Sequence, residues 1–335
     1  MALIGADSLR SREIKNLLEI KSSPSEVVEF YDPDIKEAFG KLTEFRGEAR
    51  VIHNLDPALL DGLDVVFLAA DSESNQKVVE KAASLNITAV LFDDAADGEG
   101  GPSPVVAGIN DEAVLADRPS VVSSPHPASV MMSHFLHTVM KGVNLEEIIV
   151  TVLQPASAFL DTGIEELADQ STAFLAGTSP SKSKFKVPIA FNLVSQFESV
   201  RKEGTSASER RIHKEIRRIL GREDLPLALS MVQVPVFHTY GMMIFLRTAE
   251  DRTLSELSPL FDKSPYFKRY DPNPDCPVSP LAVAGEDEIF VGQMKKDPGV
   301  DHGFWFWLVG DNLTRGSALN AYDIARKVIS IRQSE

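Results

Sequence analysis

Cysteine is nearly absent from this chain: Cys276 is the one cysteine in 335 residues. That excludes an internal disulfide and any multi-cysteine metal site. Positive charge is also short, with 34 Lys and Arg against 49 Asp and Glu, a formal charge of −15. Nucleic acids and anionic membranes select basic surfaces, so neither is expected as a partner. No apolar stretch approaches the roughly 20 residues that a membrane span needs. The opening Met1 to Asp7 lacks the basic region and the apolar length of a signal peptide. A cytoplasmic protein without a resident metal is expected. The composition that remains is that of a soluble globular protein, 43% hydrophobic and 25% charged, and the length suits two domains.

Along the first half, strands alternate with helices. Ala2 to Gly5 is a short apolar strand, and Arg10 to Ile20 has helical spacing with Ile14, Leu17 and Leu18 on one face. Glu26 to Tyr31, Val51 to His53, Asp64 to Ala70 and Thr88 to Asp93 read as further strands, with a helix over Ser74 to Ser84. Asp64 to Ala70 is apolar enough for burial on both faces. This alternation predicts a Rossmann-like doubly wound parallel sheet. In such a sheet the first turn often carries a glycine-rich dinucleotide loop. Here it reads Gly5-Ala6-Asp7-Ser8-Leu9-Arg10-Ser11. Only the first glycine is present, and Ser8 and Ser11 occupy positions where a pyrophosphate wants no side chain. Asp7 adds a carboxylate that Arg10 partly offsets. Asp32 lies at the distance of an acidic ribose contact, and it also reads as an ordinary turn residue.

The second half reads as α+β with a mixed or antiparallel sheet. Strands are expected at Leu145 to Leu153, Leu227 to Phe237, Met242 to Leu246, Glu288 to Val291 and Gly303 to Val309, with the second and third antiparallel. Gly303 to Val309 is apolar on both faces, which suggests burial in a sheet or at a subunit contact. Helices are expected at Ile164 to Leu175, at 205–219 with Ile212, Ile216 and Ile219 as an apolar stripe, and at Ser317 to Ile331. Residues 176–186 read as a flexible Ser- and Lys-rich loop.

One stretch stands apart, Ser123-Ser124-Pro125-His126-Pro127-Ala128-Ser129, between a strand at Ser120 to Val122 and a helical run from Val130. Strand-to-helix turns are where α/β enzymes often place a nucleophile, because helix N-terminal N–H groups can hold a developing anion. The order of motifs over essentially the whole chain resembles the aspartate-semialdehyde dehydrogenase family. The landmarks are Asp64 to Ala70, Leu153-Gln154-Pro155-Ala156-Ser157, Ile189-Ala190-Phe191-Asn192, Val232-Gln233-Val234-Pro235-Val236, Val291 to Asp297 and Asp311 to Ala321, the last being the most specific. The likeness is closest to the cysteine-less, non-catalytic bacterial paralogues of that family.

The resemblance implies an NAD(P)-binding-like Rossmann domain over 1–124, an α+β dimerisation and catalytic-type domain over 125–315, and a C-terminal helix over 316–335 that returns to the first domain. It also implies a reaction in which a cysteine thiolate attacks the substrate, a histidine moves the proton, arginines hold carboxylate and phosphate, and hydride passes to or from a nicotinamide. The nucleophile motif falls on Ser124 to Ser129, with Pro127 at the cysteine position; His126 and Ser129 flank it, and a Ser124–His126 pair is conceivable. Cys276 lies about 150 residues away in a proline-bounded loop. The carboxylate-gripping arginine falls on Gln233, which cannot form the bidentate ion pair. The histidine position falls on Tyr240. His238 is displaced by two residues, roughly 6–7 Å along a strand, and reads either as structural or as lining the cleft. The phosphate-gripping arginine after Phe92 is missing from an acidic stretch ending at Gly101, while Arg211 falls near the second phosphate-binding position. Gln154 and Asn192 match the family, and Asn320 matches its nicotinamide contact.

These residues predict a dimer without dehydrogenase activity, paired with itself or with an active paralogue. Two alternatives stay open. One is an oxidoreductase acting on an aldehyde or oxo group, or a hydrolase, that reuses the cleft. The other is a regulatory protein that binds NADP or NAD through Gly5, Ser8, Ser11 and Asn320.

Overall fold

Strands too apolar to face water on either side need helices on both faces, and the first unit is built that way. The structure, a computed structural model, describes residues 1–21, 27–35, 40–92, 101–195, 197–198, 200, 202–270 and 278–334. Glu26, Cys276 and the acidic run at 93–100 lie outside the described residues. The chain divides into one unit of Met1–His126 with Ser317–Glu335 and another of Pro127–Gly316.

The first unit holds β1 (Ala2–Ile4), β2 (Glu29–Asp32), β3 (Lys41–Phe45), β4 (Glu48–Asn54), β5 (Val65–Leu68), β6 (Thr88–Leu91), β7 (Ser103–Pro104) and β8 (Val121–Ser123). They form one sheet in the order β3-β4-β2-β1-β5-β6-β8-β7. Every neighbouring pair is parallel except β3 and β4. Helices α1 (Leu9–Ile20), α2 (Ser72–Leu85) and α3 (Asp111–Leu115) belong here, together with the helix that ends the chain. Leu3, Phe30, Phe67 and Val90 share a core with Ile14, Leu17 and Leu18 of α1. Ala2, Ile4, Val66 and Leu68 point the other way, onto Val78 and Ala82 of α2. The doubly wound sheet expected from the sequence is present.

The second unit holds α4 (Pro127–Met140), β9 (Leu145–Gln154), α5 (Leu160–Leu175), α6 (Ala207–Leu220), β10 (Leu227–Gln233), β11 (Tyr240–Thr248), α7 (Leu254–Asp262), β12 (Phe267–Arg269), α8 (Pro280–Val283), β13 (Ile289–Lys296) and β14 (Gly303–Gly310). Its sheet runs β10-β9-β11-β14-β13-β12 and is mixed, with parallel pairs at each end. One face carries Ile148, Val150, Val152, Met242, Ile244, Phe304, Phe306 and Leu308 against Phe135 and Leu136 of α4, Ile212 and Ile216 of α6, and Phe261 of α7. Helix α4 is buried along nearly its whole length, the fate of a helix that is apolar all round. Helix α6 is amphipathic instead, opened by a Ser206–Glu209 capping box and closed at Gly221 with φ +62°. The chain then re-enters the first unit, where Ala321, Ile324 and Val328 of α9 (Leu319–Gln333) join the core beside α1.

Three local expectations change. Strand β10 stops at Gln233 and does not pair with β11; β9 lies between them, parallel to β10 and antiparallel to β11. Pro235, which has no N–H to donate, ends the ladder, and the carbonyls of Val236 and Phe237 accept instead from Ala156 N and Ser157 N at 2.8 and 2.9 Å. The Ser- and Lys-rich loop is tied down by α5. Glu166 accepts from Ser183 N, Ser183 Oγ and Lys184 N, and Gln170 accepts from Ile189 N and Ala190 N. An edge strand, β3, adds to the first sheet where the sequence showed none.

Candidate functional site

Helix α4 starts at Pro127, a position where the missing N–H costs nothing because helix N-terminal donors lack intrahelical partners anyway. The ring packs against backbone: a Cβ built on Gly316 would lie 2.8 Å from Pro127 Cβ. Two residues on, Ser129 is fully buried and its hydroxyl has no partner among the described residues. His126 is also buried. The Ser124 hydroxyl accepts from Asn320 Nδ2 at 3.1 Å.

The C-terminal ends of β9 and β10 and the start of β11 bring Gln154, Gln233 and Tyr240 together. They are parts of one chain of hydrogen bonds. Tyr240 Oη donates to Gln154 Oε1 at 3.0 Å, and Gln154 Nε2 donates to Gln233 Oε1 at 3.1 Å. Gln233 Nε2 donates to the carbonyls of Gln154 and Val234 at 3.0 and 3.2 Å. All three side chains are buried. Buried polar groups are costly unless satisfied, and these three satisfy one another with neutral groups.

Beside them Asn312 Oδ1 accepts from Ser157 Oγ at 3.2 Å and from Thr239 N at 3.1 Å. Thr239 itself is buried, with φ +72° and an Oγ1 that has no partner among the described residues. Neither Asn312 nor Thr239 stood out in the sequence as a site residue, although Asn312 lies within the Asp311 to Ala321 landmark. His238 is half-buried, and its ring has no hydrogen-bond partner among the described residues. Asn192 is exposed, its carboxamide engaged with Pro188 O and Leu193 N at 2.9 Å. Arg211 is buried and paired with Glu215 on its own helix, Nε to Oε1 at 2.7 Å.

Another buried group in this unit is His134 on α4, stacked on Tyr266 with ring centroids 4.0 Å apart. The Arg315 guanidinium lies 5.4 Å from the same tyrosine ring. Burial, then the charge of Arg315 and then His137, hold His134 well below the ordinary histidine range. It is therefore a neutral packing residue at pH 7.

The first unit carries the turn after β1. Gly5 has φ +74°, and a Cβ there would sit 2.6 Å from Ala70 N, so only glycine fits. Beyond it, most polar groups have internal partners, while the fully buried Ser11 hydroxyl has none among the described residues. Ser8 caps α1 by accepting from Ser11 N at 3.2 Å, and Ser11 is fully buried. Asp7 pairs with Lys41. Asp32 accepts from Asp7 N and Asp34 N at 3.4 and 3.0 Å. Arg10 donates to Phe92 O at 2.9 Å. Asn320 on α9 accepts from Ala107 N at 3.1 Å and donates to Val105 O at 3.0 Å as well as to Ser124.

No group of three or more potential metal ligands occurs among the described residues, and no helix there is long and apolar enough to cross a membrane. A doubly wound first unit followed by a unit with a six-stranded mixed sheet is the architecture of a semialdehyde dehydrogenase. Solved structures agree on the fold. Aspartate semialdehyde dehydrogenase II from Vibrio cholerae superposes with a TM-score of 0.89 at 22% identity, covering 98% of both chains. A probable aspartate-semialdehyde dehydrogenase from Pseudomonas aeruginosa gives 0.88 at 25% identity, over 98% of this chain and 97% of that one. In sequence, the aspartate-semialdehyde dehydrogenase of Aquifex aeolicus is 25% identical over 98% of this chain and 97% of its own length. The family model described as "Semialdehyde dehydrogenase, dimerisation domain" matches residues 136–315. The chain belongs to the semialdehyde dehydrogenase family.

Proposed function

We propose that this protein is a dimeric member of the family without dehydrogenase activity, and that it works by binding, as a homodimer or together with an active paralogue. The observation that carries this is the hydrogen-bonded neutral network of Gln154, Gln233 and Tyr240. Where the resemblance calls for a cation to grip a carboxylate and an imidazole to move a proton, two carboxamides and a phenol bond to one another and leave no charge aimed at a ligand. Pro127 supports the same reading, since it offers neither a nucleophile nor an N–H to an oxyanion. Losing a covalent nucleophile costs several orders of magnitude in rate, and losing a charged clamp adds to that loss.

The first turn supports it from the cofactor side. A dinucleotide needs free donors at the helix start and room for phosphate charge. Ser8 already takes the Ser11 N–H, and the Asp7 carboxylate stands in the turn. Asp32 is engaged with backbone N–H groups, and the carboxamide of Asn320 is engaged at both ends. The residues present do not fit NADP or NAD. The acidic composition and single cysteine favour a cytoplasmic site of action.

The test is direct: the protein is incubated with aspartate semialdehyde, phosphate and NADP, and absorbance of the reduced nicotinamide is followed beside an active family enzyme. No turnover above the protein-free rate is expected. A rate comparable to the active enzyme would overturn the reading.

A further inference from the structure

Along β2 and β4, side chains alternate between the two faces of the first sheet. Phe30 and Ile52 are register partners and enter the core beside α1. Glu29, Tyr31, Val51 and His53 therefore belong to the opposite face, where Tyr31 and His53 are again register partners. On that face α2 packs against Ala2, Ile4, Val66 and Leu68 of the inner strands. Over β2 and β4 there is a cavity of about 450 Å³, with Val27, Glu29, Tyr31, Val51, His53 and Leu59 in its walls. That volume is in the range of small-molecule sites. The cavity runs along the strands from Val27, ahead of β2, to Tyr31. A dinucleotide on a doubly wound sheet sits outside the carboxyl ends of the strands, so this is a different place.

The walls are of two kinds. Val27 and Leu59 are large apolar side chains, 60% and 53% exposed, with Leu59 supplied by the single turn at Pro57–Leu60. The rings of Tyr31 and His53 lie 6.2 Å apart, tilted by 44°, and give the cavity an aromatic side against which a flat ring can pack.

The same cavity holds one carboxylate. Glu29 Oε2 accepts from Tyr31 Oη, and Glu29 Oε1 has no hydrogen-bond partner among the described residues. Burial first, and then the bond to Glu29, raise the Tyr31 phenol above its ordinary range. The phenol stays a donor at pH 7 and fixes the carboxylate as an acceptor. The surrounding charges leave this corner negative. Arg50 is paired with Glu48 at 3.1 Å, the Asp56 carboxylate acts on Tyr31 in the same sense as Glu29, and the Met1 ammonium donates to Val27 O at 3.0 Å and is answered by Asp64 as well as by Glu29.

We propose that this cavity binds a small organic cation, an aromatic body carrying a primary amine, with the amine on Glu29 and the body against Tyr31, His53 and Leu59. An ammonium gives the open Glu29 oxygen a charge-assisted bond, and the ring covers apolar surface that now faces water. A chain of net −15 draws such a cation and repels the corresponding anion. The site is independent of the family chemistry and of dimerisation, so its failure leaves the reading above standing.

Tryptamine is the probe, titrated by calorimetry into the whole protein beside indole-3-propionate, which keeps the ring and exchanges the amine for a carboxylate. Saturable binding of tryptamine and none of the propionate at millimolar concentration is expected. Binding of neither, or of both alike, overturns the proposal. Glu29→Gln keeps the side-chain shape and an acceptor for Tyr31 while removing the charge, and is expected to weaken tryptamine by about 10-fold or more. His53→Ala, at an exposed position, tests the aromatic side without disturbing the core, with an expected loss of about 3-fold. Tryptamine binding unchanged in both variants is surface attraction to an acidic chain only, and overturns the site.

Discussion

Two turns, one in each unit, use the same left-handed backbone with opposite side chains. Gly5 has φ +74° and Thr239 has φ +72°. At Gly5 the backbone of Ala69 and Ala70 comes so close that no Cβ fits, and the glycine is kept. At Thr239 a β-branched residue occupies a conformation that costs it energy, and its hydroxyl is buried without a partner among the described residues. In the first unit most polar side chains around the turn bond to backbone or to one another. In the second, Gln154, Gln233 and Tyr240 form a neutral hydrogen-bonded set next to the turn. The backbone at the first turn dictates its residue, and the backbone at the second carries a residue it does not favour.

The largest expected effect is that of restoring a cation. Gln233→Arg places a guanidinium at a fully buried position among neutral groups, and an unpaired buried charge is expected to destabilise the fold by about 3–5 kcal/mol. Urea denaturation of wild type and variant measures this. A loss under about 1 kcal/mol would mean that the cluster opens to solvent or holds an anion, and the contrast between the two turns would fail. Next comes Gly5→Ala. It adds a left-handed penalty and a collision with Ala70 N at 2.6 Å, for an expected loss of about 2–3 kcal/mol. A neutral result in a melting experiment would show that the first turn is not held as tightly as its contacts indicate.

Much of the fold was legible because burial leaves a pattern. Gly303 to Val309 reads as a strand from its apolar run, and it is β14, flanked by β11 and β13. Edge strand β3 was not legible: its first four residues are mostly exposed and polar, so its place is set by pairing with β4 rather than by hydrophobicity. The pairing of β10 with β9 was hidden for a related reason, since 79 positions separate Gln154 from Gln233 and no local periodicity records such a contact. The same holds at the site. The resemblance places Gln233 and Tyr240 at the positions of the family's arginine and histidine. That they bond to each other through Gln154 depended on the sheet. Residues 176–186 read as a flexible loop because their Ser and Lys content carries no sign that Glu166 and Gln170, on the preceding helix α5, bond to their backbone.

The smallest expected effect bears on the comparison most directly. Thr239→Gly removes the left-handed strain, about 1–2 kcal/mol for a residue with a Cβ, and removes a buried hydroxyl that lacks a partner, which costs about 1–3 kcal/mol in the wild type. Against this, glycine gives the unfolded chain more freedom, about 1 kcal/mol in the opposite direction, and vacates the volume of the threonine side chain. The net expectation is a gain of about 1 kcal/mol, visible as a raised midpoint in urea with an unchanged slope. Thr239→Ala separates the contributions, because it removes the hydroxyl and keeps the Cβ. If the strain dominates, only the glycine variant gains stability; if the orphaned hydroxyl dominates, both do. A destabilised glycine variant would mean that threonine packing outweighs both costs, and that the second turn, like the first, carries the residue its surroundings require.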